Sequence, residues 1–307
     1  MYFNAERTIL RCIENTAEYV DIVYIAYSEW PWSRYNTEAR TQYRNNSDIK
    51  LLQQSKYIHK IKIIEGIWET DEDQRNAVLN AAKSDGIDYL IVQDADEFYF
   101  PDEFEKNING IRQQPHFPYY YNPWINFWKN LEYVTLERHN IIGTEFSIYS
   151  KSANFAMNLR DYKDIHFTYS RQPNYPMESA LKLDGVCYHL SYVYTDEDVR
   201  MKIKTWGHSQ QVRQKWYYYK WLAWTPDSRY INPMMGPVWE KAVRFDGRLP
   251  KELENFPIPD HQHIQLSKKE KLMELFYDTN QLRIYVVHHL KGLVAKKLKL
   301  GQYKATR

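Results

Sequence analysis

The stretch Asp88-Tyr89-Leu90-Ile91-Val92-Gln93-Asp94-Ala95-Asp96-Glu97 decides how this chain is read. A short apolar run rich in β-branched residues and bounded by polar ones is a buried strand. Here it ends in three carboxylates. Immediately upstream, Glu69-Thr70-Asp71-Glu72-Asp73 offers an N-cap threonine and first-turn acids for a helix that ends near Lys83 and is closed by Ser84-Asp85-Gly86. Before it lie a strand at Ile61 to Ile64, another at Asp21 to Tyr27, and a helix from Asn4 to about Tyr19 with Ile9, Ile13 and Ala17 spaced by four. Downstream, Pro101 opens a helix running through Glu103 to Ile111. Alternating strands and helices specify a doubly wound α/β sheet, in which ligands sit at the carboxyl ends of the strands. The acidic cluster stands at such an end.

Beyond Phe117 the pattern changes. Aromatic segments of alternating polarity up to Met157 read as antiparallel strands added to the parallel core, and Gly185 to Val193 reads as one more strand. Thr195-Asp196-Glu197-Asp198 caps a helix passing Met201, Ile203 and Trp206, and the remainder reads as largely helical with proline breaks at 232–237 and 257–259. The expected organisation is one α/β domain over 1–245 and a helical extension over 246–307.

The 307 residues carry 41 Lys+Arg against 39 Asp+Glu, a net charge of +2 that supplies no broad field for nucleic-acid backbones. Nucleic acid is therefore disfavoured as a partner. The 16% aromatic content, with ten Trp and 27 Tyr, suits either core filling or stacking on sugars and bases. Cys12 and Cys187 stand far apart with no CxxC partner, which points to a reducing compartment. No segment approaches the roughly 20 apolar residues that span a bilayer, and the start lacks the layout of a signal peptide. A cytoplasmic protein is expected. From Thr279 onward there are seven Lys/Arg and no acid, with Leu282, Val286, Leu290, Leu293 and Val294 in a helical stripe. This basic amphipathic helix either docks on the main domain or makes peripheral membrane contact through 279–307.

Asp94 and Asp96, separated by one small residue on an extended backbone, point the same way and can share a cation. Oxygen ligands suit Mg²⁺ or Mn²⁺, whose shells are completed by water and substrate phosphates. At this point the sequence resembles the GT-A glycosyltransferases, especially family 2 enzymes of the lipopolysaccharide-core type and family 17. Asn4-Ala5-Glu6 ahead of the first helix, Gln74-Arg75-Asn76, Gln93-Asp94-Ala95-Asp96-Glu97-Phe98, and Tyr188-His189-Leu190-Ser191-Tyr192 followed by Lys202 or Lys204 and His208 carry the resemblance in order over roughly residues 1–215.

The resemblance implies a GT-A, Rossmann-like mixed sheet flanked by helices, and metal-dependent transfer of a sugar from a nucleotide-sugar (UDP- or GDP-sugar) to a hydroxyl of an acceptor glycan or lipid-linked glycan. An inverting, hexosyltransferase-like enzyme of polysaccharide biosynthesis is expected. Asp94, Asp96 and His189 would hold Mn²⁺ or Mg²⁺, and Glu29, Arg75, Asn76, Asp94, Lys204 and His208 would bind the donor. His189 sits in an apolar run and equally suits a core position. Trp30 and Trp32 follow the second strand, where a base or sugar would stack, and 119–128 and 206–224 fall on the expected acceptor side.

Three departures stand out. Relatives carry a full apolar strand ahead of Asn-Ala-Glu where this chain has Met1-Tyr2-Phe3, an acidic residue and a Ser-x-Asp turn after the second strand where it continues Tyr27-Ser28-Glu29-Trp30-Pro31-Trp32 with Glu29 as the substitute, and a His-Glu pair where it reads Ile165-His166-Phe167. The general base must come from elsewhere. Glu178, in the proline-flanked segment Asn174-Tyr175-Pro176-Met177-Glu178, is the first candidate, with Asp184, Asp164 and Glu97 behind it. Competing readings are a non-catalytic carbohydrate- or nucleotide-binding protein on the same fold and a nucleic-acid-modifying glycosyltransferase.

Overall fold

The computed structural model describes residues 3–32, 34, 38, 42–139 and 145–305. Helix α1 (Ile9–Thr16) buries Ile9, Cys12 and Ile13 and continues as a 3-10 turn to Tyr19. Strand β1 (Val23–Tyr27) pairs in parallel with β2 (Ile61–Glu65), Val23 opposite Ile61. Helix α2 (Asp71–Ser84) starts where the sequence places it: the Thr70 side chain accepts the Asp73 N–H at 3.1 Å. It stops at Gly86, whose φ of 74° is open to glycine at no steric cost.

Strands β3 (Tyr89–Ile91) and β4 (Glu97–Phe98) bracket the acidic loop, and α3 (Pro101–Gln113) follows. The aromatic region supplies β5 (Tyr119–Trp128), β6 (Asn130–Arg138), β7 (Phe146–Ser147) and β8 (Tyr149–Asn158). After the short β9 (Phe167–Tyr169), β10 (Gln172–Pro173) and β11 (Leu181–Lys182) come β12 (Cys187–Tyr192), α4 (Asp196–Thr205), β13 (Trp239–Arg244) and the long α5 (Lys268–Ala305).

Among the described residues nine strands join one mixed sheet, with the path β13-β6-β5-β12-β4 and with β8 linking β5 to β3. β5 is its axis. Its first half pairs with β8, its other edge runs parallel to β12, and its end turns back into β6. Asn126 on β5 stands opposite His189 on β12, which stands opposite Glu97 on β4. Three polar side chains thereby share one line across the sheet.

Three expectations are corrected. The region after α4 is not simply helical, because β13 adds to the free edge of β6 and carries that region into the main sheet. Trp216 and Trp221 do not face an acceptor; both are fully buried with Trp128, Tyr192 and Trp239 in one aromatic core, so that part of the tyrosine- and tryptophan-rich stretch is interior. Finally, β1 and β2 form their own pair, and among the described residues no strand joins them to β3. The facing backbones of 20–26 and 86–93 border a cavity of about 690 Å³.

Candidate active site

A second cavity, of about 520 Å³, opens beyond the carboxyl ends of β1 and β3. Its size and its mix of apolar walls with a few convergent polar groups suit a small-molecule ligand. Asp94, Asp96, Arg75, His189, Lys202 and His208 line it, together with Trp30, Trp32, Trp124, Trp206 and Trp239.

The loop after β3 turns the two aspartates to different partners. Asp94 accepts from Arg75 Nη2 at 3.0 Å and from Arg171 Nη1 at 3.4 Å. Burial alone would raise its carboxyl, but the two guanidiniums outweigh that and hold it well below the usual carboxylate range. Asp96 accepts from the Tyr194 hydroxyl at 2.7 Å, its other oxygen lies 3.4 Å from His189 Nε2, and Lys202 Nζ is 4.0 Å away. Against burial, His189 and Lys202 keep that carboxyl low as well. Burial depresses the Lys202 ammonium.

His189 is oriented from behind. Its Nδ1 lies 2.9 Å from Asn126 Oδ1, while Asn126 Nδ2 faces Glu137 Oε1 at 3.4 Å. A carboxylate cannot donate, so the amide nitrogen belongs on the Glu137 side and the imidazole proton on Nδ1. This leaves His189 Nε2 turned toward Asp96. The ring also packs edge-on against Trp124, whose face carries the Arg171 guanidinium.

Glu97 is fully buried and ion-paired with Arg171. Burial raises its carboxyl despite that partner. Arg171 also donates to the backbone oxygens of Val92 and Asn154, tying the acidic loop to β8. Glu97 is thus a buried ion-pair partner and does not line the cavity.

The donor-side residues divide. Arg75 and His208 face the cavity; burial lowers the His208 imidazole, and Tyr169 Oη lies 3.2 Å from its Nδ1. Trp32 donates to Gln74 Oε1 at 3.0 Å, which fixes that indole in the wall. Asn76, in contrast, commits both ends of its amide to the backbone N–H and C=O of Phe167. Lys204 is exposed; α4 ends at Thr205, so Lys204 and His208 do not share a helical face, and Lys202 takes the inward place. Glu29 lies outside the cavity, paired with Arg44 beside a shallow depression.

Glu178 and Asp184 are exposed and outside the cavity, Glu178 on a short 3-10 turn and Asp184 between β11 and β12. Asp164 accepts from the Tyr175 hydroxyl at the surface. Glu137, Asn126 and Arg171 are the side chains that sequence reasoning missed. Asn126 had a signal, a polar residue inside an aromatic strand; Arg171 had none.

A mixed sheet flanked by helices, with a tryptophan-walled cavity beside the turn that follows β3, defines the class, an α/β domain. Residues 44–175, somewhat under half of the chain, match the sequence model of glycosyl transferase family 2. The match supports a family 2-like glycosyltransferase domain, and with it the GT-A fold, over that span. The matched span holds Arg75, Asp94, Asp96 and Glu137, while His189, Lys202 and His208 lie beyond it. No curated protein matches the chain.

Proposed function

We propose that the 520 Å³ cavity takes a UDP- or GDP-sugar together with Mn²⁺ or Mg²⁺, and that the chain transfers the hexosyl group, with inversion, to a glycan hydroxyl. The observation that carries this reading is the pairing of Asp96 Oδ1 with His189 Nε2 at 3.4 Å in the cavity wall, a spacing that suits two ligands of one cation. Among the described residues no group of three or more His, Cys, Asp or Glu side chains converges as a metal centre. Two protein ligands suffice where phosphates and water complete the shell. Asp94 is already engaged by two guanidiniums, so it fits a role in holding Arg75 at the donor rather than as a direct ligand.

The cation, when bound, would neutralise charge growing on the departing diphosphate. The chain's own residues would do the rest. Lys202, Arg75 and His208 line the same wall and would meet the phosphates, and Trp30 and Trp32 offer faces to the base. Trp124, Trp206 and Trp239 would wall the sugars and keep water from the anomeric carbon. We further propose that the acceptor is a glycan presented at a membrane surface in the cytoplasm, with α5 as the contact.

The test is a panel of UDP- and GDP-sugars with Mn²⁺ or Mg²⁺, read by melting temperature and by donor hydrolysis. A metal-dependent rise with one nucleotide class is expected, and Asp96→Asn should weaken it at least tenfold. No response to any donor would sink the reading.

A further inference from the structure

We propose that Glu137 is the general base, the carboxylate that takes the proton of the acceptor hydroxyl. This rests on the glycosyl-transfer reading above and assigns the residue that reading lacks. Glu137 is on β6 and only 6% exposed, yet it lines the cavity that holds Asp96 and His189. All three of its hydrogen bonds arrive at one oxygen. Oε1 accepts from Ser150 Oγ at 2.6 Å, from Trp239 Nε1 at 3.0 Å and from Asn126 Nδ2 at 3.4 Å. Oε2 has no hydrogen-bond donor among the described residues and is not sealed from solvent. A carboxylate clamped through one oxygen from three strands, on a residue that lines the cavity, is fixed in orientation, and its other oxygen is free to accept a proton.

Its surroundings also suit the chemistry. Burial raises the Glu137 carboxyl, partly offset by the Ser150 and Trp239 hydrogen bonds and by the charge of His139. The other ionisable groups near it are already matched: Glu240 on β13 is held by Arg138 and Arg229, and His189 on β12 is separated from it by the Asn126 amide. No cation is ion-paired with Glu137 among the described residues. The other candidate acids fare worse, since Glu97 is neutralised by Arg171 and Glu178 and Asp184 are exposed outside the cavity.

In the step, the acceptor oxygen forms a bond to the anomeric carbon as the bond from that carbon to the diphosphate oxygen breaks. The bonding pair leaves with the diphosphate, and the hydroxyl proton passes to Glu137 Oε2. Glu137 releases it to solvent once the product departs.

The experiment compares wild type with Glu137→Gln and Glu137→Ala, using the donor and metal that shift the wild-type melting temperature. Glu137→Gln keeps the acceptor oxygen for Ser150, Trp239 and Asn126, so melting temperature and donor-induced shift should stay at wild-type values. Turnover should fall about 10²–10⁴-fold, the usual range for general-base removal, and the limb of the rate profile that rises with pH should vanish. Formate or azide should restore part of the activity of Glu137→Ala. Wild-type turnover in Glu137→Gln with the rising limb intact would overturn the assignment alone. A wild-type protein inert toward every donor, with no melting shift, would overturn the glycosyl-transfer reading and the assignment together.

Discussion

Arg171 holds more of the acidic loop than any other single side chain. It meets Glu97 and Asp94, donates to the backbone oxygens of Val92 and Asn154, and stacks on Trp124. Removing one member of a buried ion pair leaves a charge without compensation, which costs about 3–5 kcal/mol. Arg171→Ala should lose about that much by urea unfolding, and adding Glu97→Gln should recover most of it by removing the orphaned charge. A loss below about 1 kcal/mol in the single variant would show that water reaches Glu97. Legibility at this scale follows sequence distance. Asp94 and Asp96 could be read as a motif, but not as two side chains on one strand face, because the chain turns at Ala95-Asp96 and the Glu97 N–H reaches back to the Asp94 carbonyl. Their division of labour could not, because it is imposed by Arg171 and His189, which only the sheet brings to them. Glu137 was invisible for the same reason, its three donors coming from β5, β8 and β13.

At the scale of elements, local signals placed most helix starts correctly. Thr70 and Thr195 each accept the N–H three residues on, and both belong to stretches where a threonine precedes a run of acids. Long-range pairing was not legible. β13 has no neighbour in sequence that would reveal its partner, and its place on β6 follows from edge pairing alone. The start of α4 also shows how the segment before α5 is tied down. Asp196 accepts from Trp221 Nε1 at 2.8 Å and from the Gln262 N–H at 2.7 Å, with His261 Nδ1 at 2.9 Å. Burial would raise this carboxyl, yet the Gln262 amide, His261 and Trp221 outweigh it and the net shift is downward. A carboxyl lower in the folded than in the unfolded state adds stability that is fully present above the unfolded value and is lost as pH falls through the folded one. Asp196→Asn should therefore cost about 1.5–3 kcal/mol at pH 7, the range for hydrogen bonds to a charged group. The gap to wild type should narrow below about pH 4, near the ordinary aspartate value. Urea titrations at pH 7 and pH 3 measure both, and a gap that is unchanged at pH 3 would rule out this carboxyl as the source.

For the whole molecule the question is which face of α5 meets the rest of the chain. The sequence offered a leucine stripe, and the structure docks a different one. Lys220, fully buried, reaches Glu274 at 2.7 Å and Asp278 at 2.8 Å, Arg213 lies over the Tyr277 ring, and Tyr285 is buried further along. These positions recur at helical spacing and form one face. The apolar residues Leu272, Phe276, Leu282, Val287 and Leu290 remain exposed. No helix among the described residues is long and apolar enough to cross a membrane. The proposed membrane contact draws on these outward apolar residues and on the sequence from Thr279 onward, which carries seven Lys/Arg and no acid. Each Lys or Arg near an anionic bilayer contributes about 1 kcal/mol, an attraction that salt screens within a Debye length of about 10 Å at 0.1 M. The protein should therefore cosediment with vesicles containing phosphatidylserine, bind neutral phosphatidylcholine vesicles at least tenfold more weakly, and release from the anionic ones as salt rises to about 0.5 M. Phe276→Glu combined with Leu290→Glu should abolish binding while leaving the melting temperature unchanged, because both side chains are exposed and stand off the docked face. Equal binding to neutral and anionic vesicles, or full binding by the double variant, would show that α5 does not meet the membrane through this face.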